Sequence, residues 1–156
     1  MKRIASSKEH DELVREIEQE ISSLGLLLMT RRGVFTKGFL PDIVINVGGS
    51  VSDWVIIDVI NTPDSLKRDI AGLLTIKTNV EKKGYSVRGI LGVCGNRIRT
   101  TENYDALVEQ YPNFFMVLPQ DVKSYLEMLM FESAKEKLDK LGYITSSLHI
   151  LKRTKA

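Results

Sequence analysis

The sequence predicts an α/β fold in which a mixed central sheet of about five strands is flanked by helices. Three short apolar segments with strand composition follow one another directly after the first helical segment. Helical segments then alternate with two further apolar strand segments, up to a long final helix. These observations predict the order α-β-β-β-α-β-α-β-α. The run of consecutive strands fits poorly with a doubly wound fold, in which strands and helices alternate.

The N-terminal segments comprise one helix, one strand and a basic loop. Ser6 and Glu9 have the spacing of a capping box, and the apolar stripe that follows them predicts a helix over 7–24. The apolar segment 26–30 is typical of a short strand. The basic, glycine-containing segment 31–40 is typical of a loop.

Two acidic residues lie on the strands of a predicted hairpin formed by 41–47 and 54–61. If the hairpin is regular, paired residue numbers sum to about 100, so Asp42 lies opposite Asp58. Cross-strand partners have Cβ atoms ~4.5–5.5 Å apart, and carboxylates that close repel unless a proton or a cation lies between them. A divalent metal is the expected cation, because hard cations such as magnesium bind oxygen ligands.

The C-terminal part of the chain alternates helices and strands. A Thr-Pro-Asp start and an apolar stripe predict a helix over 62–84, and the largely apolar segment 87–93 is typical of a central strand buried on both faces. A third helix is expected around 104–111, a fifth strand over 114–118 and a long helix over 121–141.

Composition and charge exclude several classes of protein. A chain of 156 residues with 43% apolar and 27% charged residues predicts one globular domain over 1–156, with a basic tail at about 145–156 that is either a flexible end or a DNA-contacting arm. The net charge of +2 permits a nucleic-acid partner without requiring one. The single Cys94 excludes a disulfide framework and fits a reducing, intracellular setting. Without a long apolar run or an apolar signal core, we expect a soluble, cytoplasmic protein with no membrane partner.

The element order resembles the PD-(D/E)xK nuclease superfamily, with Pro41-Asp42 opening the second strand and Asp58 near the end of the third. This fold is shared by many restriction enzymes, archaeal Holliday junction resolvases and RecB-type nucleases, and the likeness covers roughly 7–118. It implies a three-layer, restriction-endonuclease-like fold and metal-dependent hydrolysis of DNA phosphodiester bonds. Asp42 and Asp58 match the two metal-binding, catalytic acids of the family pattern, with Mg²⁺ or Mn²⁺ as the implied cofactor.

The lysine of the family pattern is missing from this sequence, because Ile60 stands two residues after Asp58. That ammonium would orient the attacking water or stabilise developing negative charge. Some members of the superfamily supply the lysine from the following helix, so the resemblance makes Lys67 the catalytic candidate, with Lys77 as a second candidate. Glu9 precedes Leu13 by four residues and Ile17 by eight, which predicts that it lies on the inward stripe of the first helix. Many members place an extra acid there, which makes Glu9 a further candidate metal ligand.

Each candidate residue also has a structural interpretation. Asp42 could shape the turn after the preceding proline, and Lys67 could belong to a solvated helix face. Glu9 could be the capping partner of Ser6 and have no other role. His10 is expected to be a surface residue rather than a ligand. Asp58 favours function most strongly, since it is the only ionisable group in an apolar strand, where an unpaired buried charge is costly.

Basic residues in two predicted loops could flank the site and bind a phosphate backbone without reading sequence. They are Arg31, Arg32, Lys37, Arg97 and Arg99. The alternative is that both segments are ordinary solvated loops.

The long helix over 121–141 is apolar on more than one face, which predicts a homodimer interface or, alternatively, complete burial within the monomer. The leading functional prediction is a metal-dependent nuclease acting on DNA. The alternative is a catalytically inactive nuclease-fold module that binds nucleic acid or a partner protein, in which Ile60 marks the lost catalytic lysine.

Overall fold

The computed structural model describes residues 3–26, 41–60, 66–94, 109–110 and 114–142. These residues form an α/β fold with a four-stranded sheet and long helices. The helices are α1 (Arg3–Ser23), α2 (Leu66–Lys82) and α3 (Val122–Lys140), and a 3-10 turn over Pro119–Asp121 leads into α3. The strands are β1 (Ile43–Asn46), β2 (Trp54–Ile60), β3 (Val87–Cys94) and β4 (Phe114–Val117).

The sheet is mixed and open, with strand order β1-β2-β3-β4. The strands β1 and β2 are antiparallel, whereas β2, β3 and β4 are mutually parallel. The predicted α/β class with a mixed sheet is therefore confirmed. The predicted strand over 26–30 and helix over 104–111 lie almost entirely outside the described residues, so the five-stranded sheet and the full element order stay predictions.

The hairpin has the register that the sequence predicts. Ile43 lies opposite Ile57 and Asn46 lies opposite Trp54, so paired residue numbers sum to 100 along the whole of β1. Isoleucine and valine favour this extended, pleated backbone. Gly49 has a positive φ of 89° in the turn, a conformation that glycine adopts without steric cost.

Helices cover both faces of the sheet. The side chains that alternate along β2 pack in turn against α2, as Ile56 and Ile60 do, and against the helices on the other face, as Ile57 does. Helix α2 covers one face, while α1 and α3 cover the other. The central strand β3 is buried along both faces, as its apolar sequence predicts.

The glycines of β3 allow close packing against this strand. A Cβ atom at Gly92 would lie 2.9 Å from both Met116 Sδ and Phe114 Cζ, and one at Gly89 would lie 3.1 Å from a methyl carbon of Leu129 in α3. Both distances are shorter than ordinary carbon contacts. Each glycine therefore makes room for a neighbouring core side chain.

The start of the first helix differs from the sequence prediction. Helix α1 begins at Arg3, so Ser6 lies inside the helix and the predicted capping box with Glu9 is wrong. The residues before Ser6 include arginine and alanine, which have high helix propensity, and no residue there stops the helix. At the other end of the chain, α3 matches the predicted 121–141 helix within one residue at each terminus.

Two predictions concern the apolar character of the helices. Helix α3 exposes Phe131 and Leu138 to solvent, so the alternative of complete burial within the monomer is wrong for this helix. Within the described ranges, no helix combines the length and apolar character required to span a membrane.

Candidate functional site

Asp42 and Asp58 meet at the open end of the hairpin. Asp42 immediately precedes β1, and the register that pairs Ile43 with Ile57 continues to bring it opposite Asp58. The backbone N–H of Asp42 donates to Asp58 Oδ1 at 3.3 Å, and the backbone N–H of Val59 donates to Asp42 Oδ2 at 2.8 Å. Backbone hydrogen bonds therefore hold both carboxyl groups side by side.

The Asp58 carboxyl group is buried among like charges. Asp58 is only 5% exposed and lies on the α2 face of β2, between Ile56 and Ile60. Burial raises the pKa of Asp58 well above its usual range, and the negative charges of Asp42 and Asp69 raise it further, while the Asp42 N–H offsets part of the effect. The two carboxyl groups therefore repel each other as the sequence predicts, and a proton or a cation between them would relieve that repulsion.

Asp69 is a site residue that sequence reasoning missed. It lies on α2, is 9% exposed and adds its charge to that of Asp42 around Asp58. The signal was present in the sequence, because Asp69 precedes Leu73 by four residues and Ile76 by seven, which places an acid on the buried stripe of the helix.

His10 is a second missed residue, because it is half-buried and contacts Asp42, where the sequence predicts a surface position. Its Nε2 lies 2.9 Å from Asp42 Oδ2, and its side chain is only 27% exposed. A carboxylate oxygen can only accept, so Nε2 donates in this hydrogen bond. Its second ring nitrogen, Nδ1, lies 3.4 Å from Asp11 Oδ1.

The position of His10 follows from helical periodicity. It precedes the buried Ile17 by seven residues and Ile21 by eleven, so it continues the inward stripe of α1. Glu9 is exposed, so the prediction that it lies on this stripe is wrong. Of these two neighbours, His10 is the one whose side chain contacts the aspartates.

The position of the missing lysine is occupied by a core side chain. Ile60 is fully buried on the same face as Asp58 and packs with Leu73 and Phe114. Lys77 pairs with Glu81 at 3.5 Å and lies two helical turns, or ~12 Å, beyond Asp69 along α2. The backbone of Lys67 belongs to the first turn of α2, but its side chain lies outside the described part of the structure.

The five predicted DNA-binding residues all lie outside the described residues. They are Arg31, Arg32, Lys37, Arg97 and Arg99, and the basic tail at about 145–156 also lies outside. Arg31, Arg32 and Lys37 belong to the segment between Leu26 and Pro41, which is next to Asp42. Arg97 and Arg99 follow Cys94, which pairs with Ile60 across the sheet. Both segments therefore join the described chain at the end of the sheet that carries Asp58.

The donor atoms fit a hard divalent cation that has few protein ligands. Carboxylate oxygens are the donors that Mg²⁺ and Mn²⁺ prefer, and Mg²⁺ is commonly held by one or two carboxylates together with water and substrate phosphates. Across the described ranges, no group of three or more His, Cys, Asp or Glu side chains is arranged to hold a metal ion. Asp42 and Asp58 would therefore be the protein ligands, with Asp69 and His10 outside the coordination sphere.

A second buried aspartate, Asp53, shows what a structural ion pair looks like in this protein. Asp53 is 1% exposed, accepts from Arg88 Nε at 2.9 Å and from the Ser50 hydroxyl at 2.7 Å, and lies at the opposite end of β2. Burial alone would raise the pKa of Asp53, but hydrogen bonds from Ser50 and Arg88 lower it to about 2. Arg88 also pairs with Glu136 of α3, at 2.5 Å. Asp53 thus has a cationic partner, whereas the described charges that shift the pKa of Asp58 are those of Asp42 and Asp69.

The functional interpretation rests on the geometry of this group of side chains. A scan of protein-family models, a search of curated proteins and a search of solved structures found no match. The structure brings together side chains from α1, the hairpin and α2, namely His10, Asp42, Asp58 and Asp69. Two of the four, Asp42 and Asp58, were predicted from the sequence.

Proposed function

We propose that this chain is a metal-dependent nuclease that hydrolyses DNA phosphodiester bonds, with Asp42 and Asp58 as ligands of Mg²⁺ or Mn²⁺. The observation that carries the proposal is the pairing of two carboxyl groups across the hairpin, one of them buried and acted on by the negative charges of Asp42 and Asp69. A buried carboxylate without a cation is costly, and a bound divalent ion removes that cost. The proposal includes membership of the PD-(D/E)xK superfamily and a restriction-endonuclease-like fold.

Each residue of the site has a separate proposed role. A bound ion would polarise a phosphate oxygen and lower the pKa of a water molecule. Asp42 and Asp58 would bind the ion, and the hydrogen bonds from His10 and the Val59 N–H fix the orientation of the Asp42 carboxylate. The nearby charge of Asp69 makes the site more attractive to a cation.

The DNA backbone would be bound by the basic residues of the two flanking segments. We propose this role for Arg31, Arg32, Lys37, Arg97 and Arg99. The support is that both segments join the described chain beside Asp42 and Asp58. Phosphate contacts release counterions, so DNA affinity should fall steeply as the salt concentration rises. A flat salt response would argue against these contacts.

A cleavage assay tests the proposal. Wild type should cleave at least one of linear, circular, branched or single-stranded DNA with Mg²⁺ or Mn²⁺, and chelator should abolish cleavage. The Asp58→Asn variant should lose activity, because it removes a ligand charge while preserving side-chain shape. Asp139→Asn is the matched control, since Asp139 is an exposed residue of α3. Equal cleavage by wild type and Asp58→Asn would refute the site.

The catalytic ammonium is proposed to come from Lys67. Removing one preorganised charge-stabilising donor typically reduces the rate by about 10²–10³-fold. Lys67→Ala should therefore slow cleavage by about 10²-fold or more while changing DNA affinity little. Lys77→Ala is the control, because Lys77 pairs with Glu81 away from the aspartates. Undiminished cleavage by Lys67→Ala would remove Lys67 from the mechanism.

The second candidate is a catalytically inactive module of the same fold that binds nucleic acid or a partner protein. The observation that favours it is Ile60, a fully buried apolar residue at the position where the superfamily pattern has its lysine. This candidate predicts binding without cleavage under any metal condition. Cleavage that depends on Asp58 would exclude it.

A further inference from the structure

Helix α3 has a second apolar face that does not pack on the sheet. Its inner face buries Val122, Leu126 and Leu129 against the core. The opposite face exposes large apolar side chains, with exposed fractions of 37% for Met128, 69% for Phe131 and 63% for Leu138. Large apolar side chains exposed on one face of a helix are characteristic of a docking surface.

The charged residues on this face are placed symmetrically about Phe131. Glu127 precedes Phe131 by four residues and Lys135 follows it by four, so both lie on the same stripe, one helical turn to either side. Both side chains are exposed. We call the surface formed by Glu127, Met128, Phe131, Lys135 and Leu138 the outer face of α3.

We propose that the outer face of α3 binds a second copy of this chain, with the two helices antiparallel and related by a twofold axis that passes by Phe131. In this arrangement Phe131 contacts its own counterpart, and Glu127 of each copy lies opposite Lys135 of the other. A twofold interface of this kind must be complementary to itself, as this stripe is. A parallel arrangement would instead place Glu127 against Glu127 and Lys135 against Lys135.

The apolar and charged residues have separate roles in this interface. Burial of Phe131, Met128 and Leu138 supplies the driving force for association, because these side chains are otherwise exposed to water. The two Glu127–Lys135 contacts select the antiparallel orientation and disfavour the parallel one. The interface does not involve Asp42, Asp58 or any other residue of the candidate site, so its test is independent of the nuclease proposal.

Charge reversal tests the orientation directly. Sedimentation over a range of protein concentrations should show a monomer–dimer equilibrium for wild type. Glu127→Lys and Lys135→Glu should each weaken association by about tenfold, because each replaces two attractive contacts with two repulsive ones. The double variant should restore the wild-type affinity. An equimolar mixture of the two single variants should form the heterodimer in preference to either homodimer.

Two further variants distinguish loss of the interface from a general effect of surface substitutions on association. Phe131→Ser should abolish dimerisation without unfolding the chain, because Phe131 is exposed; circular dichroism would confirm the fold. Lys82→Glu is the control, since Lys82 is exposed on α2 at the opposite face of the sheet. A wild type that stays monomeric, leaving this face to a different partner, would overturn the proposal. So would a dimer that tolerates Phe131→Ser, or a double reversal that fails to restore association.

Discussion

At the scale of single residues, two buried aspartates of one strand pair have opposite surroundings. Asp53 receives hydrogen bonds from Arg88 and Ser50, which lower its pKa, whereas Asp58 is surrounded by apolar residues and by the charges of Asp42 and Asp69, which raise its pKa. The charge of Asp53 is balanced by Arg88 without any bound ion. The arrangement around Asp58 favours a proton or a cation at neutral pH, which is why Asp58 marks the candidate functional site.

Asp58 should make the metal-free protein less stable as the pH rises. Its pKa is about 9 in the folded chain, above the ordinary value of 3.8, so the folded state binds more protons across that interval and stability falls with increasing pH. Thermal unfolding in chelator should show a lower Tm at about pH 8 than at about pH 5. Asp58→Asn should flatten this dependence and raise the Tm at the higher pH. An identical pH dependence in both proteins would contradict the assignment.

His10 should matter to metal affinity through the orientation of Asp42. Groups that hydrogen-bond a metal ligand typically contribute about 10–100-fold to affinity. His10→Ala should therefore weaken Mn²⁺ binding by roughly that factor while leaving the fold intact, because the side chain is partly exposed. His10→Gln, which can still donate to Asp42, should recover part of the loss.

Glu9→Ala is the matched variant for this experiment, since Glu9 is the exposed neighbour of His10. It should leave Mn²⁺ affinity unchanged. If Glu9→Ala weakened binding and His10→Ala did not, Glu9 would be the ligand that the family resemblance implies, and the role given to His10 would be wrong.

At the scale of elements, Asp53 and Arg88 connect the hairpin turn to β3 and α3. Arg88 bonds to Asp53 on one side and to Glu136 on the other, while Lys137 donates to the backbone oxygen of Gly48. A Cβ atom at Gly48 would overlap Asp53 and Ser133, so the turn and α3 are in direct contact. These contacts fix the end of the hairpin that is remote from Asp58.

Asp53→Asn should destabilise the fold without affecting metal binding. The substitution removes a buried charge that pairs with Arg88, and breaking such pairs costs about 3–5 kcal/mol when no other partner remains. Because Arg88 keeps Glu136, we expect a smaller loss of about 2 kcal/mol in urea unfolding. The contribution of Asp53 should also disappear in wild type as the pH falls from 3.8 towards 2. Unchanged stability of Asp53→Asn would contradict this role.

The elements show which parts of the structure could be predicted from the sequence. The hairpin register followed from two β-branched apolar segments joined by a glycine-containing turn, which are local signals. The start of α1 was missed because good helix formers continue the helix past the capping-box motif. His10 and Asp69 lie on the inward stripes of their helices, but the contact of α1 with Asp42 is a tertiary contact between residues far apart in sequence. Local patterns do not specify such contacts.

Ile60 shows the same distinction between local and tertiary information. Strand alternation correctly placed it on the face of Asp58, yet the sequence could not show that this position is filled by the core against α2. An ammonium introduced by Ile60→Lys would be buried among apolar side chains, where an isolated charge is strongly unfavourable. We therefore expect this substitution to destabilise the fold rather than to supply the missing catalytic group.

At the scale of the whole molecule, the described structure separates two surfaces. The acidic site lies at the end of the sheet where β1 begins and the parallel strands β2 and β3 end. The outer face of α3 lies on the layer that covers the opposite side of the sheet from α2. The proposed cation binding at the first surface and the proposed dimerisation at the second can therefore be tested by separate substitutions.

Above all, we propose that Asp42 and Asp58 together bind a divalent cation. Calorimetric titration of the full chain with Mn²⁺ measures this binding without requiring DNA or activity. We predict one binding event for wild type and for Asp139→Asn, accompanied by proton release because the ion replaces the proton of Asp58. Asp58→Asn and Asp42→Asn should each lose this binding event. Absence of binding to wild type, or binding that survives both substitutions, would show that Asp42 and Asp58 are not the ligands of a cation.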